Sequence, residues 1–288
     1  GDLSIMHGIP RLLLRNPFDL KDTISLSDRT EYAEDIRDQK ELTVISSFGH
    51  NGPSKCLDVT LAGLALVSMN GYKFEYRIYG GISNEYKSRL EMIARAYGIL
   101  DMIRIVGRVG DAALLIAMKE TDLFINIRLP NTEGQSGSFI EQMATGRPVV
   151  CYDRGCFRDA PDNSALKIKG LLTPQSVALA ISRYFSMSKQ SWAEMSEAAL
   201  RYSMTYSCKT YSHKLLDHLS RPECRLSKLD SSYLSRLTAS SLALLALFGM
   251  ASSDEYRRVL KSIGLTSLGV MNKSKSMHMV NAVSYTHL

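Results

Sequence analysis

The chain has 288 residues, of which 45% are hydrophobic and 22% charged. That is the composition of an ordinary globular protein with enough apolar material for a stable core, and it argues against a disordered or low-complexity chain. The net charge of +6 favours anionic ligands, but the lysines and arginines are scattered and form no basic stripe interleaved with aromatics, so no nucleic-acid partner is expected.

Residues 1–19 contain a short apolar, strand-like run, Arg11–Arg15, followed by Asn16-Pro17-Phe18-Asp19. They read as the end of a preceding domain, and the polar, charged stretch 20–40 reads as a linker. The chain lacks an initiator Met and a signal peptide and begins inside a pattern, so it reads as a fragment. From Glu41 to about Phe185 apolar runs rich in β-branched residues recur: Leu42–Phe48, Phe74–Tyr79, Ile103–Val106, Leu123–Ile127 and Pro148–Tyr152. Helical patterns separate them: Ser54–Met69, Asn84–Tyr97, Asp111–Lys119 and Ser138–Thr145. Strand and helix in strict alternation predict an α/β fold, a doubly wound, Rossmann-like parallel sheet buried on both faces.

Residues 173–220 read as further helices, with Thr173 as a cap and Trp192 packed on the domain, so 41–220 forms one unit. A C-terminal helical segment is expected over 221–270. Its longest uncharged stretch, Leu237–Ser253, is short for a membrane span and reads as a buried helix. An interfacial helix in peripheral contact with the inner membrane face is the alternative. Residues 271–288 are polar and unpatterned and read as a disordered or artefactual tail.

The five cysteines (Cys56, Cys151, Cys156, Cys208, Cys224) are odd in number and lack CxxC spacing. They read as reduced thiols of a cytoplasmic protein. His213 and His218 are five apart, which turns them about 140° from each other on a helix, so no metal site is expected.

In a doubly wound sheet ligands bind beyond the carboxyl ends of the strands. The loop after the first strand reads Phe48-Gly49-His50-Asn51-Gly52-Pro53-Ser54-Lys55. Its glycines allow close backbone approach, the following helix aims its N-terminus at the same spot, and Lys55 can reach a phosphate as a point charge. It matches neither a dinucleotide fingerprint nor a P-loop. The loop after Leu123–Ile127 is more informative. Gly134, Gln135, Ser136, Gly137 and Ser138 open a helix, and their N–H groups can cradle a diphosphate. Glu133 and Glu141 flank that segment, and carboxylates accept hydrogen bonds from sugar hydroxyls. Ser138 and Glu141 also fit a capping box, which would make Glu141 structural.

These residues resemble glycosyltransferase family 4, retaining enzymes of the GT-B fold, over about Leu12 to Phe185. The family's hallmark is two glutamates separated by seven residues, then a helix ending in Gly-x-Pro-Val-Val. Here these are Glu133, Glu141 and Gly146-Arg147-Pro148-Val149-Val150. Asn16-Pro17-Phe18-Asp19 resembles the interdomain turn, and Gly80-Gly81 and Gly107-Arg108-Val109 resemble two further loops. The resemblance makes 41–220 the C-terminal half of a GT-B fold and residues 1–19 the end of its acceptor domain.

The resemblance implies a hexosyltransferase that is metal-independent and needs no cofactor. Its donor would be a nucleotide-diphosphate sugar, UDP or GDP, and its acceptor a polysaccharide or lipid-linked glycan. Glu133 would contact the donor sugar and Glu141 the ribose. Residues Gly134–Ser138 would hold the diphosphate, with Gly49 and His50 alongside. Lys55 would neutralise the departing phosphate, and the backbone at Arg108 and Val109 would meet the base. The family usually has Arg where this chain has His50, Gly where it has Cys56, and Phe-Gly where it has Gln135-Ser136. Without its acceptor domain the chain is expected to transfer little or no sugar. Two other readings are a sugar-nucleotide epimerase or phosphorylase of the same fold, and a non-catalytic GT-B partner or scaffold, the latter suggested by His50 and Cys56.

Overall fold

The computed structural model describes residues 42–219. The expected domain end at 1–19, linker at 20–40, helical segment at 221–270 and tail at 271–288 lie outside the described residues. The described part falls in two compact units: residues 42–206 form one, and residues 207–219 belong to the other. In the latter, helix α7 covers Cys208–Leu219 and carries both His213 and His218.

The first unit alternates strand and helix. The strands are β1 (Thr43–Ser47), β2 (Phe74–Tyr79), β3 (Ile103–Gly107), β4 (Leu123–Asn126), β5 (Val149–Tyr152) and β6 (Leu166–Ile168). The helices are α1 (Leu57–Met69), α2 (Asn84–Ala96), α3 (Asp111–Glu120), α4 (Gly137–Ala144), α5 (Pro174–Phe185) and α6 (Lys189–Met204). All the strands pair in parallel, in the order β3-β2-β1-β4-β5-β6. The order reverses between β1 and β4, the switch point where a doubly wound sheet opens its ligand crevice.

The apolar runs form strands because both faces of the sheet are covered. Along β4, Leu123 and Ile125 enter one core cluster and Phe124 the other. Along β5, Val150 and Tyr152 face the first cluster, Val149 and Cys151 the second. Alternate side chains of a strand point to opposite faces, so a continuous apolar run is what two buried faces require. Helices α1, α2 and α5 complete the first cluster with Leu61, Leu64, Leu90, Val177 and Ile181, and Trp192 of α6 joins it. Phe139 and Met143 of α4 pack with Phe157 in the second. Truncating a buried phenylalanine of this kind to alanine costs about 3–5 kcal/mol.

Local signals set most helix starts. The Thr173 hydroxyl accepts from Ser176 N at 3.2 Å and the Ser176 hydroxyl accepts from Thr173 N at 2.9 Å, a reciprocal cap on α5 with Pro174 in the first turn. Ser83 caps α2. Two expectations need correction. The helix read as starting at Ser54 starts at Leu57: Pro53–Lys55 is a 3-10 turn, ended by Cys56 in the left-handed region at φ 49°. Strand β6 has no counterpart among the apolar runs expected from the sequence.

Candidate functional site

The loops at the carboxyl ends of β1, β2 and β3 are stitched together by backbone. Gly80 N donates to Gly107 O at 2.7 Å, and Asn51 N to Gly81 O at 2.7 Å. The Asn51 amide donates to Tyr79 O at 3.0 Å. Gly49 and Gly80 both sit at φ 111°, and a Cβ on Gly80 would lie 1.9 Å from Gly49 O, so the two loops touch main chain to main chain. Beside this contact a Cβ on Gly81 would lie 3.4 Å from both His50 Nδ1 and Arg108 Nε. His50 and Arg108, expected on one ligand, therefore share one exposed corner. Val109 is half-buried and packs on the second core cluster.

The 3-10 turn folds the chain back so that Lys55 runs beneath Gly49. Its ammonium lies 3.8 Å from where a Gly49 Cβ would stand. Lys55 is only 4% exposed. Its Nζ donates to Asn126 Oδ1 at 3.1 Å and to Phe48 O at 3.4 Å. Among the described residues no carboxylate lies within ion-pairing distance of it. Burial, then the nearby Arg128 guanidinium, pull its pKa down to about 8, and Glu133 opposes them.

Asn126, at the end of β4, connects Lys55 to α4. Its Nδ2 donates to Gln142 Oε1 at 2.9 Å and to Ser138 Oγ at 3.1 Å. The Ser138 and Ser136 hydroxyls are 3.5 Å apart. Asn126 and Gln142 did not figure among the expected site residues. The available signal was a polar residue at the end of an otherwise apolar strand and another on the buried face of an apolar helix.

The loop after β4 is anchored on both sides. Leu129 N donates to Ser54 O at 2.8 Å, and the Asn131 amide donates to Arg154 O at 3.0 Å. Between the anchors, Arg128 Nη1 meets Glu133 Oε1 at 2.7 Å. The Arg128 Nε is buried without a hydrogen-bond partner. Gly134 is exposed, with open space around it. Gln135 and Gly137 are half-buried and Ser136 is buried. Neither glycine takes a positive φ.

The capping box that Ser138 and Glu141 offered as an alternative does not form. Helix α4 is capped at Ser136, with no side-chain hydrogen bond, because Ser138 already lies in the first turn and its hydroxyl serves Asn126. The first backbone bond runs from Ile140 N to Ser136 O at 3.2 Å. The N–H groups of Gly137, Ser138 and Phe139 precede it and have no partner within the helix, so the helix start remains available to an anion. Glu141 is exposed and makes no hydrogen bond or ion pair among the described residues. Partial loss of water around its carboxyl raises its pKa.

Contacts thus link Gly49, Lys55, Ser138 and, through shared electrostatics, Glu133, around Asn126. They link His50 with Arg108 at the adjoining corner. No contact ties Glu141 to either group. Among the described residues no cluster of His, Cys, Asp and Glu could hold a metal ion, and no helix is long and apolar enough to cross a membrane.

The family model for glycosyl transferases group 1 matches residues 28–199. The chain belongs to the glycosyl transferases group 1 family. Solved structures share its sheet and helices at low identity. A glycosyltransferase from Rickettsia africae matches with a TM-score of 0.56 and 16% identity over 71% of this chain and 57% of its own. Alr3699/HepE of Anabaena in complex with UDP matches with a TM-score of 0.57 and 18% identity, over 71% of this chain and 56% of its own. The C-terminal domain of a group 1 glycosyl transferase (LpcC) from Francisella tularensis has a TM-score of 0.50 and 14% identity, over 65% of this chain and 97% of that domain. The chain thus spans little more than half the length of the first two proteins, and the fold is the Rossmann-like half of a GT-B architecture. No curated protein sequence matches the chain.

Proposed function

We propose that this chain is the donor-binding half of a retaining glycosyltransferase of the family 4 type. It binds a UDP- or GDP-sugar and, with an acceptor domain, transfers the sugar to a polysaccharide or lipid-linked glycan at the cytoplasmic side of a membrane. The observation that carries this reading is Lys55: a buried ammonium at the switch point of the sheet, held, among the described residues, by neutral oxygens only. A charge so placed is unfavourable by itself and is offset when an anion arrives. The bare first turn of α4 offers the same anion backbone N–H groups.

In the proposed step the bond between the sugar C1 and the diphosphate oxygen breaks and its electron pair leaves with the phosphate. The Lys55 ammonium and the N–H groups of Gly137, Ser138 and Phe139 stabilise that growing charge from fixed positions. The acceptor hydroxyl bonds to C1 on the face just vacated, and its proton passes to the departing phosphate. Glu133 orients the sugar and Glu141 the ribose. The Arg108 and Val109 backbone meets the base.

Calorimetric titration with UDP, GDP and ADP tests the reading. The wild type is expected to bind one of them, Lys55→Ala to lose at least tenfold in affinity, and Glu141→Ala to lose severalfold. Equal binding by all three proteins would remove the site assignment.

A further inference from the structure

We propose that Arg128 is a second diphosphate-binding cation of this site, and that Glu133 holds its guanidinium in place until the nucleotide displaces the carboxylate. The inference rests on the nucleotide-sugar reading above and deepens it.

A nucleoside diphosphate brings more negative charge than Lys55 alone neutralises. Arg128 leaves β4 on the opposite side of the switch point from the Lys55 loop. Its guanidinium is near enough for its charge to act on the Lys55 ammonium, and the Glu133 carboxylate acts on it too. Both cations thus feel the charge of one carboxylate, which pairs with Arg128 alone. Among the described residues only one arm of the Arg128 guanidinium is engaged, Nη1 with Glu133 Oε1 at 2.7 Å. The Nε is buried without a hydrogen-bond partner. An arginine has five donors in a rigid plane, and its side-on edge, Nε with Nη2, is matched to two oxygens of a phosphate; with Glu133 held by Nη1 and Nε idle, that edge is the unused one.

The surroundings favour exchange at the side chain. The bonds Leu129 N to Ser54 O and Asn131 Nδ2 to Arg154 O fix the backbone beside Arg128. The Arg128 and Glu133 side chains are 21% and 35% exposed. A carboxylate with that much water access can swing off the guanidinium without unfolding the loop.

Two purposes for such a pair differ in sign. A loop staple is weakened alike by removing either partner. A screened cation is not: loss of Arg128 weakens anion binding, while loss of the Glu133 charge strengthens it. The experiment titrates the 288-residue protein with inorganic pyrophosphate, UDP, GDP and the nucleosides uridine and guanosine, with thermal melts to verify folding. Arg128→Gln is expected to lower pyrophosphate and nucleoside-diphosphate affinity at least tenfold while nucleoside binding stays constant. Arg128→Lys is expected to fall between, and Glu133→Gln to tighten pyrophosphate severalfold. Should Arg128→Gln fail to fold, the sign of the Glu133→Gln effect decides. Unchanged affinities, or loss in both Arg128→Gln and Glu133→Gln, would overturn the role of Arg128 and leave the nucleotide reading standing. Pyrophosphate binding that depends on Arg128, with no binding of any nucleoside diphosphate, would overturn the nucleotide reading alone. A wild type that binds neither overturns both.

Discussion

Two lysines are buried near the carboxyl ends of these strands, and they are treated in opposite ways. Lys167, in β6, has a side chain only 4% exposed and two carboxylates in reach, Asp153 at 3.4 Å and Asp162 at 3.2 Å. Its ammonium also donates to Ala160 O at 2.6 Å and Arg158 O at 3.3 Å, which fastens the turn after β5. Lys55, in the β1 loop, is also buried, yet has an amide oxygen and a carbonyl for company and, among the described residues, no carboxylate within pairing distance. The left-handed residues nearby differ in the same sense. The β5 turn uses Gly155 at φ 55°, whereas the β1 loop forces Cys56 to φ 49°. One region is neutralised and relaxed, the other keeps uncompensated charge and backbone strain. Such residues cluster where a protein binds or reacts.

The contrast can be broken most forcefully at Lys167. Replacing it by alanine strands Asp153 and the carbonyls of the turn, and is expected to destabilise the fold by about 3–5 kcal/mol in urea denaturation. A loss below about 1 kcal/mol would remove the distinction between the two lysines.

The matching change at Lys55 should go the other way. Its pKa falls from 10.5 to about 8 on folding, which corresponds to a cost of about 3 kcal/mol at neutral pH. Lost hydrogen bonding takes back about 1 kcal/mol. Lys55→Met is thus expected to be more stable than the wild type by about 2 kcal/mol at pH 7, while losing diphosphate binding. Below pH 8 both folded and unfolded chains carry the proton and the cost is complete. Between about 8 and 10.5 only the unfolded chain keeps it, so wild-type stability rises with pH relative to the variant. Denaturation at either end of that window checks the convergence, and a gap that widens with pH contradicts it.

Strain at Cys56 gives the smallest effect. Cys56→Ala and Cys56→Gly both delete a buried thiol, but only glycine adopts the left-handed region without a Cβ clash. The glycine variant should exceed the alanine variant by about 1 kcal/mol in thermal unfolding. Equal stability would mean the loop relaxes and stores nothing.

The sheet was legible because parallel strands buried on two faces must be apolar runs. Phe74–Tyr79 falls where expected to the residue. Strand β6 escaped because it is three residues long and has Lys167 at its centre, a polar residue made tolerable only by carboxylates from elsewhere in the chain. The start of α1 was misplaced for a local reason, since Pro53 favours a helical turn but cannot reveal that Cys56 then breaks it. Around Asn126, the loops that follow β1 and β4 had already drawn attention in the sequence to Lys55, Glu133 and Ser138. Spacing could not bring out Asn126 and Gln142, whose roles come from side chains meeting across sixteen residues. Nor could it assign Arg128 to Glu133 instead of to solvent.

The contact between Gly49 and Gly80 constrains how this loop can vary over generations. Every change away from glycine introduces a side chain, and at Gly80 the first carbon of any side chain would fall 1.9 Å from a neighbouring carbonyl oxygen. No gradual substitution is open there. The position can drift only if the partner loop withdraws first, which would separate His50 from Arg108, so the geometry of this corner is inherited as a unit or lost as one.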